Sequence, residues 1–262
     1  MTDLFPAEDR GLLLGDGLFE TVLADHGRLA LFDEHVARLV GGCATIGLPP
    51  PAPAKLRAAA AAALTKAGLT DQRAAVRLSW TAGSGGRGLD RPPEMTPRLL
   101  AQAAPAPAPA QPLILATVPI RRNETSPASR LKTLAYLDNV LARRAARERG
   151  ADDAVMLNTV GDVACAAAAN LFWVDGGRLF TPSLACGVLA GTVRAVVLAT
   201  AAGLGVEVVE TRAPAQALAS AEAIFATNSL IGVRAVAALD GARFATHAMV
   251  ERLADACAAA LR

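Results

Sequence analysis

Hydrophobic positions along the chain repeat with two periods, one typical of strands and one typical of helices. Strict alternation broken by glycine turns predicts a hairpin at the start, and apolar residues three and four apart then predict two helices. Asp33 is expected to cap the first helix and Gly47 to close it. This half of the chain is thus predicted to contain a hairpin at 11–28, helices at 33–45 and 54–67, and a strand at 73–80.

The second half consists of short alternating runs separated by turn residues, after one amphipathic helix that starts at Leu134 and stops at Gly150. Further helices are expected at 192–202, directly after Pro214, and from 246 onward. Strands are expected at 154–157, 163–166, 171–174, 178–180, 206–211 and 223–226, and as two short pieces within 233–239.

The clearest break in composition is AAPAPAPAQP at residues 103–112. Repeated Ala-Pro favours extended polyproline geometry over helix, so this segment is predicted to link two domains. We therefore expect an α+β protein with a small N-terminal domain over 1–103, the linker over 104–112 and a larger C-terminal domain over 113–262. A cleft where two domains meet is the default ligand site.

Composition narrows the class of protein. The 262 residues carry a net charge of +2 with both signs interspersed, which predicts no nucleic-acid surface and no membrane anchor. The four cysteines are scattered, without CxxC or metal-ligand spacing, so we expect neither a disulfide framework nor a metal site. We also expect no signal peptide and no membrane span, and therefore a cytoplasmic protein with reduced thiols.

One lysine stands out by its position. The chain has three lysines against 23 arginines, and Lys55 and Lys66 lie in an alanine-rich helical stretch where a solvated side chain is ordinary. Lys132 lies instead between a Pro/Ser/Arg turn and the helix that follows. By position alone an exposed lysine is the simpler interpretation, but a deprotonatable amine here also suits Schiff-base chemistry, which arginine cannot perform.

Three separate stretches offer groups that suit a phosphate. Thr192 and Val193 open a helix, whose first amides are free to bind an anion. Ser229 lies in a polar segment that ends a strand, and Arg38 on the first long helix supplies a positive charge. A phosphate site, a distinctive lysine and a two-domain cleft together suggest pyridoxal phosphate.

The segment GSGGRGL at 83–89 formally satisfies a dinucleotide-binding pattern after a strand. Pro92 and Pro93 follow where that motif requires a helix, so we reject the dinucleotide interpretation. The remaining alternatives are a flexible glycine loop and a loop whose backbone closes over a ligand.

Seven motifs occur in the order found in one family of enzymes. They are GDGLFET (15–21), FDEHVARL (32–39), GSGGRGL (83–89), SRLKTLAYLDNVLARR (129–144), NLFWV (170–174), TPSLACGVLAGTVR (181–194) and TNSLIGVRAV (227–236). On these motifs the chain resembles the fold-type IV pyridoxal phosphate enzymes, namely branched-chain and D-amino acid aminotransferases and aminodeoxychorismate lyases. GSGGRG, NLFW and TNSLIGVR are most similar to the lyases. The resemblance implies a small α/β domain, a larger β-barrel-like α/β domain and a homodimer.

The resemblance also implies roles for single residues. Lys132 would form the Schiff base and move protons, and Thr21 matches a threonine implicated in the lyases as a proton donor. Asn228 would face the amino substrate, and Arg87 is a candidate for its carboxylate. The residues implied to hold the cofactor are Lys132, Arg38, Tyr136, Cys165, Leu189, Thr192, Val193 and Ser229.

Three positions depart from the family pattern. Cys165 stands where a glutamate usually keeps the pyridine nitrogen protonated, and a neutral thiol makes the ring a poorer electron sink. Ala82 stands where relatives often carry an arginine for a substrate carboxylate, which either leaves that task to other arginines, such as Arg87, or abolishes carboxylate recognition. Val193 replaces a common threonine but keeps the backbone amide.

Three hypotheses follow for the function. The first is a lyase similar to aminodeoxychorismate lyase, which forms 4-aminobenzoate and pyruvate. The second is an aminotransferase acting on D-amino acids, branched-chain amino acids or amines. The third is a relative in which Cys165 and Ala82 mark lost or altered activity.

Overall fold

The computed structural model describes residues 5–261. Its helices are α1 (Arg10–Leu14), α2 (Phe32–Ile46), α3 (Pro53–Ala67), α4 (Pro127–Arg130), α5 (Leu137–Glu148), α6 (Thr192–Gly203), α7 (Gln216–Ala219) and α8 (Ala248–Ala260). Its strands are β1 (Gly17–Asp25), β2 (Arg28–Leu29), β3 (Ala74–Thr81), β4 (Arg98–Pro105), β5 (Leu113–Thr117), β6 (Asp153–Leu157), β7 (Val163–Ala166), β8 (Asn170–Asp175), β9 (Arg178–Pro182), β10 (Val208–Thr211), β11 (Ala223–Asn228), β12 (Gly232–Leu239) and β13 (Ala242–Arg243).

These elements form two compact units. Unit 1 contains the described residues up to Pro107 together with Leu131–Ala135, and unit 2 contains the rest. The sequence placed residues 131–135 in the C-terminal domain, whereas their contacts place them in unit 1. The segment predicted to link the domains from residue 104 starts inside β4, because the first of its alanines still pair with β3.

Unit 1 is built on an antiparallel sheet in the order β2-β1-β3-β4. Side chains alternate across it, so Leu18, Val22 and Val76 lie in the buried cluster that also includes apolar residues of α2 and α3. On β1, the alternate positions Phe19 and Thr21 face the other way. The face that bears Leu18 and Val22 therefore anchors the helices, and Glu20, two residues from each, lies on this same face.

Unit 2 is built on a nine-stranded mixed sheet in the order β10-β9-β8-β11-β12-β5-β6-β7, with β13 paired to β12. Phe172 and Phe225 stack on neighbouring strands with ring centroids 4.9 Å apart, and residues of α6 and α8 join their cluster. A second cluster surrounds Trp173, which also stacks on Phe180. Sheet and helices are mixed, as the predicted α+β class requires.

Several predicted boundaries were wrong, each for a local reason. Residues 10–14 form α1 rather than a strand, because the Asp9 side chain accepts a hydrogen bond from the Gly11 amide and caps a helical turn. Asp33 lies in the first turn of α2, whose N-cap is Leu31. The helix predicted from residue 134 begins at 137, since residues 131–135 run alongside β1. The two short strands expected within 233–239 are one strand, β12.

In the described part of the chain, every helix is too short or too polar to cross a bilayer. Within the same residues, no three His, Cys, Asp or Glu side chains are grouped so that they could bind a metal ion.

Candidate active site

The segment that carries Lys132 runs beside β1 as an added strand. The Phe19 amide donates to the Lys132 carbonyl over 2.8 Å, and the Leu134 amide donates to the Gly17 carbonyl over 3.0 Å. A Cβ atom on Gly17 would lie 2.5 Å from the Trp80 carbonyl oxygen and 2.8 Å from a Leu134 methyl carbon. Gly17 is therefore needed because the β3 backbone on one side and the Leu134 side chain on the other approach β1 so closely.

A buried carboxylate anchors the positive charges of this unit. Glu20 is 1% exposed and accepts hydrogen bonds from Arg38 Nε (2.8 Å) and Nη2 (2.6 Å), while its Oε2 lies 2.7 Å from His35 Nδ1. Burial by itself raises the pKa of Glu20, but hydrogen bonds and charge from Arg38 and His35 outweigh it and lower the pKa to about 2. Glu20 therefore stays ionised and fixes the Arg38 guanidinium. Its role was not recognised in the sequence.

The Lys132 amine lies near this cluster, in a largely dry environment. Its Nζ is 4.3 Å from the centroid of the Phe19 ring, and the Arg77 guanidinium is 3.6 Å from the same centroid. Burial lowers the pKa of Lys132 from 10.5 to about 8. The negative charge of Glu20 opposes this, and the positive charges of Arg38 and Arg77 add to it. An amine with this pKa exchanges protons near neutral pH.

Thr21 lies directly opposite Arg77 in the register of β1 and β3. Both line a cavity of about 600 Å³ in unit 1, together with Gln102, Lys66 and six alanines. Sequence reasoning had missed Arg77. The available signal was its polar position in an alternating strand, where its neighbours at 76 and 78 are apolar and buried.

In unit 2, three of the four predicted phosphate-binding residues, Thr192, Val193 and Ser229, come together at the start of α6, whereas Arg38 belongs to unit 1. The Gly191 N-cap makes no side-chain capping hydrogen bond, and the Thr192 hydroxyl lies 3.4 Å from the Ser229 hydroxyl. A Cβ on Gly191 would lie 2.1 Å from Asn170 Oδ1, so a larger residue here would have to displace the Asn170 side chain. Two hydroxyls beside the first amides of a twelve-residue helix match the donors that a phosphate ester requires. These residues therefore fit a phosphate group.

Cys165 lies on β7 and is buried in a small cluster with Cys186 and Val188. Burial raises the pKa of its thiol; the charge of Arg122 acts in the opposite direction and that of Asp153 in the same one. The thiol is consequently neutral at physiological pH, in agreement with the neutral side chain expected from the sequence.

The other predicted site residues have different surroundings. Tyr136 immediately precedes α5, and Leu189 is half-buried with its carbonyl accepting from Asn170 Nδ2 over 2.9 Å. Asn228 Oδ1 accepts from the amides of residues 230 and 231, and its Nδ2 donates to the Ala168 carbonyl. This side chain shapes the turn after β11. Arg87 is exposed in the glycine loop.

Comparison with known proteins identifies the family. A family model described as amino-transferase class IV matches residues 17–239. The chain therefore belongs to the class IV aminotransferase family. One relative, a Methanocaldococcus jannaschii protein provisionally described as a branched-chain-amino-acid aminotransferase, is 32% identical over 253 residues, which are 89% of this chain and 82% of the relative.

Solved structures agree with this assignment. 4-Amino-4-deoxychorismate lyase from Pseudomonas aeruginosa is 32% identical with a TM-score of 0.86, over 97% of this chain and 94% of that one. A hypothetical aminotransferase from Mycobacterium tuberculosis, in a form with bound pyridoxal phosphate, is 25% identical with a TM-score of 0.87. The match covers 99% of this chain and 94% of that one. The predicted fold type, the prediction of an enzyme and the predicted cofactor are thereby confirmed at the level of the family.

Proposed function

We propose that the protein is a pyridoxal phosphate-dependent lyase similar to aminodeoxychorismate lyase, which converts 4-amino-4-deoxychorismate to 4-aminobenzoate and pyruvate. The observation that carries the proposal is the position of Thr21. It lies on β1, the strand that runs beside the Lys132 segment, and directly opposite Arg77 on β3. A hydroxyl beside a fixed positive charge suits protonation of a departing oxygen. The lyase relative from Pseudomonas aeruginosa supports the same assignment.

Each unit contains groups that suit the cofactor. In unit 1 the Lys132 amine would bind the cofactor's aldehyde covalently, and Arg38 carries a charge suited to its phosphate. In unit 2 the phosphate donors would be the amides of Thr192 and Val193 and the Ser229 hydroxyl. Bound pyridoxal phosphate supplies an electron sink for negative charge that develops beside the substrate's amino-bearing carbon.

Among the remaining residues implied by the resemblance, Leu189 would pack on the cofactor ring and Tyr136 would lie near the ring oxygen. Cys165, a neutral thiol, would face the ring nitrogen. Such a partner supports less charge withdrawal than a carboxylate, and a reaction that expels a leaving group depends on that withdrawal less than transamination does.

The reaction requires two proton transfers, and the chain has a group suited to each. The Lys132 amine, with its pKa of about 8, removes the proton from the substrate's amino-bearing carbon. The Thr21 hydroxyl donates to the oxygen of the departing enolpyruvate as its carbon–oxygen bond breaks. Arg77 stabilises the negative charge that develops at this oxygen. The substrate's carboxylates would be bound by Arg77 and by Arg87, while Asn228 shapes the wall of the site.

Release of pyruvate tests the proposal. Purified holoenzyme with 4-amino-4-deoxychorismate should form pyruvate, measured with lactate dehydrogenase, and equimolar 4-aminobenzoate, measured by fluorescence. Thr21→Val, which keeps the shape but removes the hydroxyl, should lower kcat by about 100-fold or more, whereas Thr21→Ser should retain most activity. A holoenzyme that forms no pyruvate contradicts the lyase assignment.

The role of Lys132 has its own test. The holoenzyme should show a yellow absorption band that borohydride abolishes, and Lys132→Ala should lack this band. A variant that keeps a borohydride-sensitive band would exclude Lys132 as the covalent attachment point.

The second candidate function is transamination, which the Methanocaldococcus relative and the aminotransferase from Mycobacterium tuberculosis favour. Incubation with D-alanine, L-leucine or a simple amine should then convert the holoenzyme spectrum to that of the pyridoxamine form. An unchanged spectrum with all donors excludes it. Failure of both assays would leave a cofactor-binding protein with lost or altered activity.

We further propose that the enzyme is a cytoplasmic homodimer. All four cysteines are free and buried, as suits a reducing compartment. Leu12, Leu13 and Leu89 are 62%, 63% and 84% exposed in unit 1, and such apolar surface suits contact with a second copy. Sedimentation equilibrium should give twice the mass of one chain at micromolar concentration, and a monomer there would contradict the dimer.

A further inference from the structure

A buried arginine outside the proposed chemistry lies beside the glycine loop. Arg10 is 4% exposed, and all three of its guanidinium nitrogens donate hydrogen bonds. Nε donates to the Asp16 carboxylate (2.9 Å), Nη2 to the Leu89 carbonyl (2.9 Å), and Nη1 to the carbonyls of Asp90 (3.0 Å) and Gly88 (3.2 Å). A buried guanidinium is tolerated only when its donors are satisfied, and here most acceptors belong to one loop.

The loop is shaped around this guanidinium. Gly86 has φ +82, and a Cβ there would lie 2.1 Å from the Asp90 carbonyl oxygen and 3.1 Å from Arg10 Nη1. Gly83 has φ +77, and its Cβ would lie 2.0 Å from the Thr96 carbonyl oxygen. Only glycine fits at these positions because the backbone folds back on itself. The sequence allowed two interpretations of this segment, a flexible loop or a loop whose backbone closes over a ligand. In the structure, hydrogen bonds from Arg10 hold it in one conformation.

Asp16 connects this loop to the strand next to Lys132. Its carboxylate also binds Arg91, which lies at the end of the loop, through Nη2 (2.5 Å) and Nε (3.0 Å). Burial by itself raises the pKa of Asp16, but hydrogen bonds from Arg91 and Arg10 lower it below its usual value. Asp16 immediately precedes β1, so the loop and the strand share one ionised anchor.

We propose that Arg10 is a positioning residue for substrate recognition, which holds residues 83–90 in the conformation that presents the Arg87 side chain. The proposal rests on the proposed function, in which Arg87 binds a substrate carboxylate. Lysine cannot replace Arg10, because one ammonium lacks the planar fork that reaches a carboxylate and several carbonyls at once.

Limited trypsin digestion of the holoenzyme tests whether Arg10 holds the loop, independently of any activity. Cleavage after Arg87 should be at least about tenfold faster in Arg10→Met, and in Arg10→Lys, which keeps the charge, than in wild type. Mass spectrometry measures this rate relative to the rate of cleavage at other sites in the chain. The matched control is Arg57→Met, which removes an exposed arginine paired with Asp33 in the same unit and should cleave like wild type. An unchanged rate after Arg87 in both Arg10 variants overturns the proposal.

A double-mutant cycle tests the connection to substrate. Arg10→Met and Arg87→Met should each raise KM for 4-amino-4-deoxychorismate about tenfold with little change in kcat, and the double variant should be no worse than either single variant. If the increases in KM of the two single variants multiply in the double variant, or if Arg87→Met leaves KM unchanged, the role of Arg10 in substrate recognition is overturned. A wild-type enzyme without any turnover would contradict the proposed function instead, and the digestion result would still decide whether Arg10 holds the loop.

Discussion

Methionine at position 132 would remove an amine that the fold holds largely away from water. Burial keeps the pKa of Lys132 at about 8, against 10.5 for the ordinary side chain. At 1.36 kcal/mol for each pKa unit, keeping the ammonium charged in the native chain costs about 3 kcal/mol. Lys132→Met should therefore make the cofactor-free chain more stable at pH 7 by up to about this amount.

The gain should depend on pH with a defined sign. Below pH 8 the lysine is protonated in both the folded and the unfolded chain, so the wild type bears the full cost. Between pH 8 and 10.5 the folded chain releases the proton while the unfolded chain keeps it, and wild-type stability rises with pH. The advantage of the variant should consequently be constant below pH 8 and should vanish by about pH 10.5.

Urea unfolding of both cofactor-free proteins from pH 6 to 10.5 measures this difference in free energy. Lys66→Met, which removes an exposed lysine on α3 of the same unit, is the matched control for loss of a lysine side chain. A Lys132→Met variant that is less stable than wild type at pH 7, or whose advantage does not change with pH, would refute the reasoning.

Glu20 is ionised in the folded chain, and this contributes about 3 kcal/mol of stability above pH 4.5 that wild type loses as the pH falls to about 2. Glu20→Gln should lack this contribution, and acid unfolding curves of variant and wild type that coincide would contradict the reasoning. Gly17→Ala should destabilise the chain by roughly 2 kcal/mol or more in urea, because its methyl group overlaps the β3 backbone and the Leu134 side chain. Gly41→Ala, with open space on α2, should be neutral or stabilising, and equal effects of the two substitutions would refute the close approach. The four thiols, Cys165 among them, should react with Ellman's reagent only after unfolding, because all are buried with raised pKa values; one fast thiol in native protein would show that burial is incomplete.

Elements with a strong local signal were predicted well from the sequence. Helix α3 and its terminal Gly68 were predicted to within a residue, because alanine propensity and a left-handed glycine both act locally. Strands β6 to β9 were also found, with Gly161 in the turn between β6 and β7 and two glycines in the turn between β8 and β9. The start of α5 was missed because the residues before it pair with β1, more than a hundred positions away, and periodicity does not report such pairing.

The site could be predicted only where a motif marks it. Lys132 and the start of α6 lie in segments whose order and spacing resemble the family. Glu20 and His35 were passed over because a glutamate on a strand and a histidine on a helix look solvated until the fold buries them against each other. Arg77 carries no motif of its own. Its importance follows from register, which places it opposite Thr21, and register is set by the whole sheet.

The docking of residues 131–135 onto β1 also bears on how the chain folds during synthesis. Once residue 107 has left the ribosome, β1 can pair with β3, but its outer edge near Gly17 still exposes backbone amides and carbonyls. That edge is closed only after 135 residues have emerged, when Phe19 and Leu134 form their hydrogen bonds. A fragment cut at the boundary between the units would thus keep an open edge and lack the lysine. Folding of the N-terminal unit is completed by the arrival of Lys132.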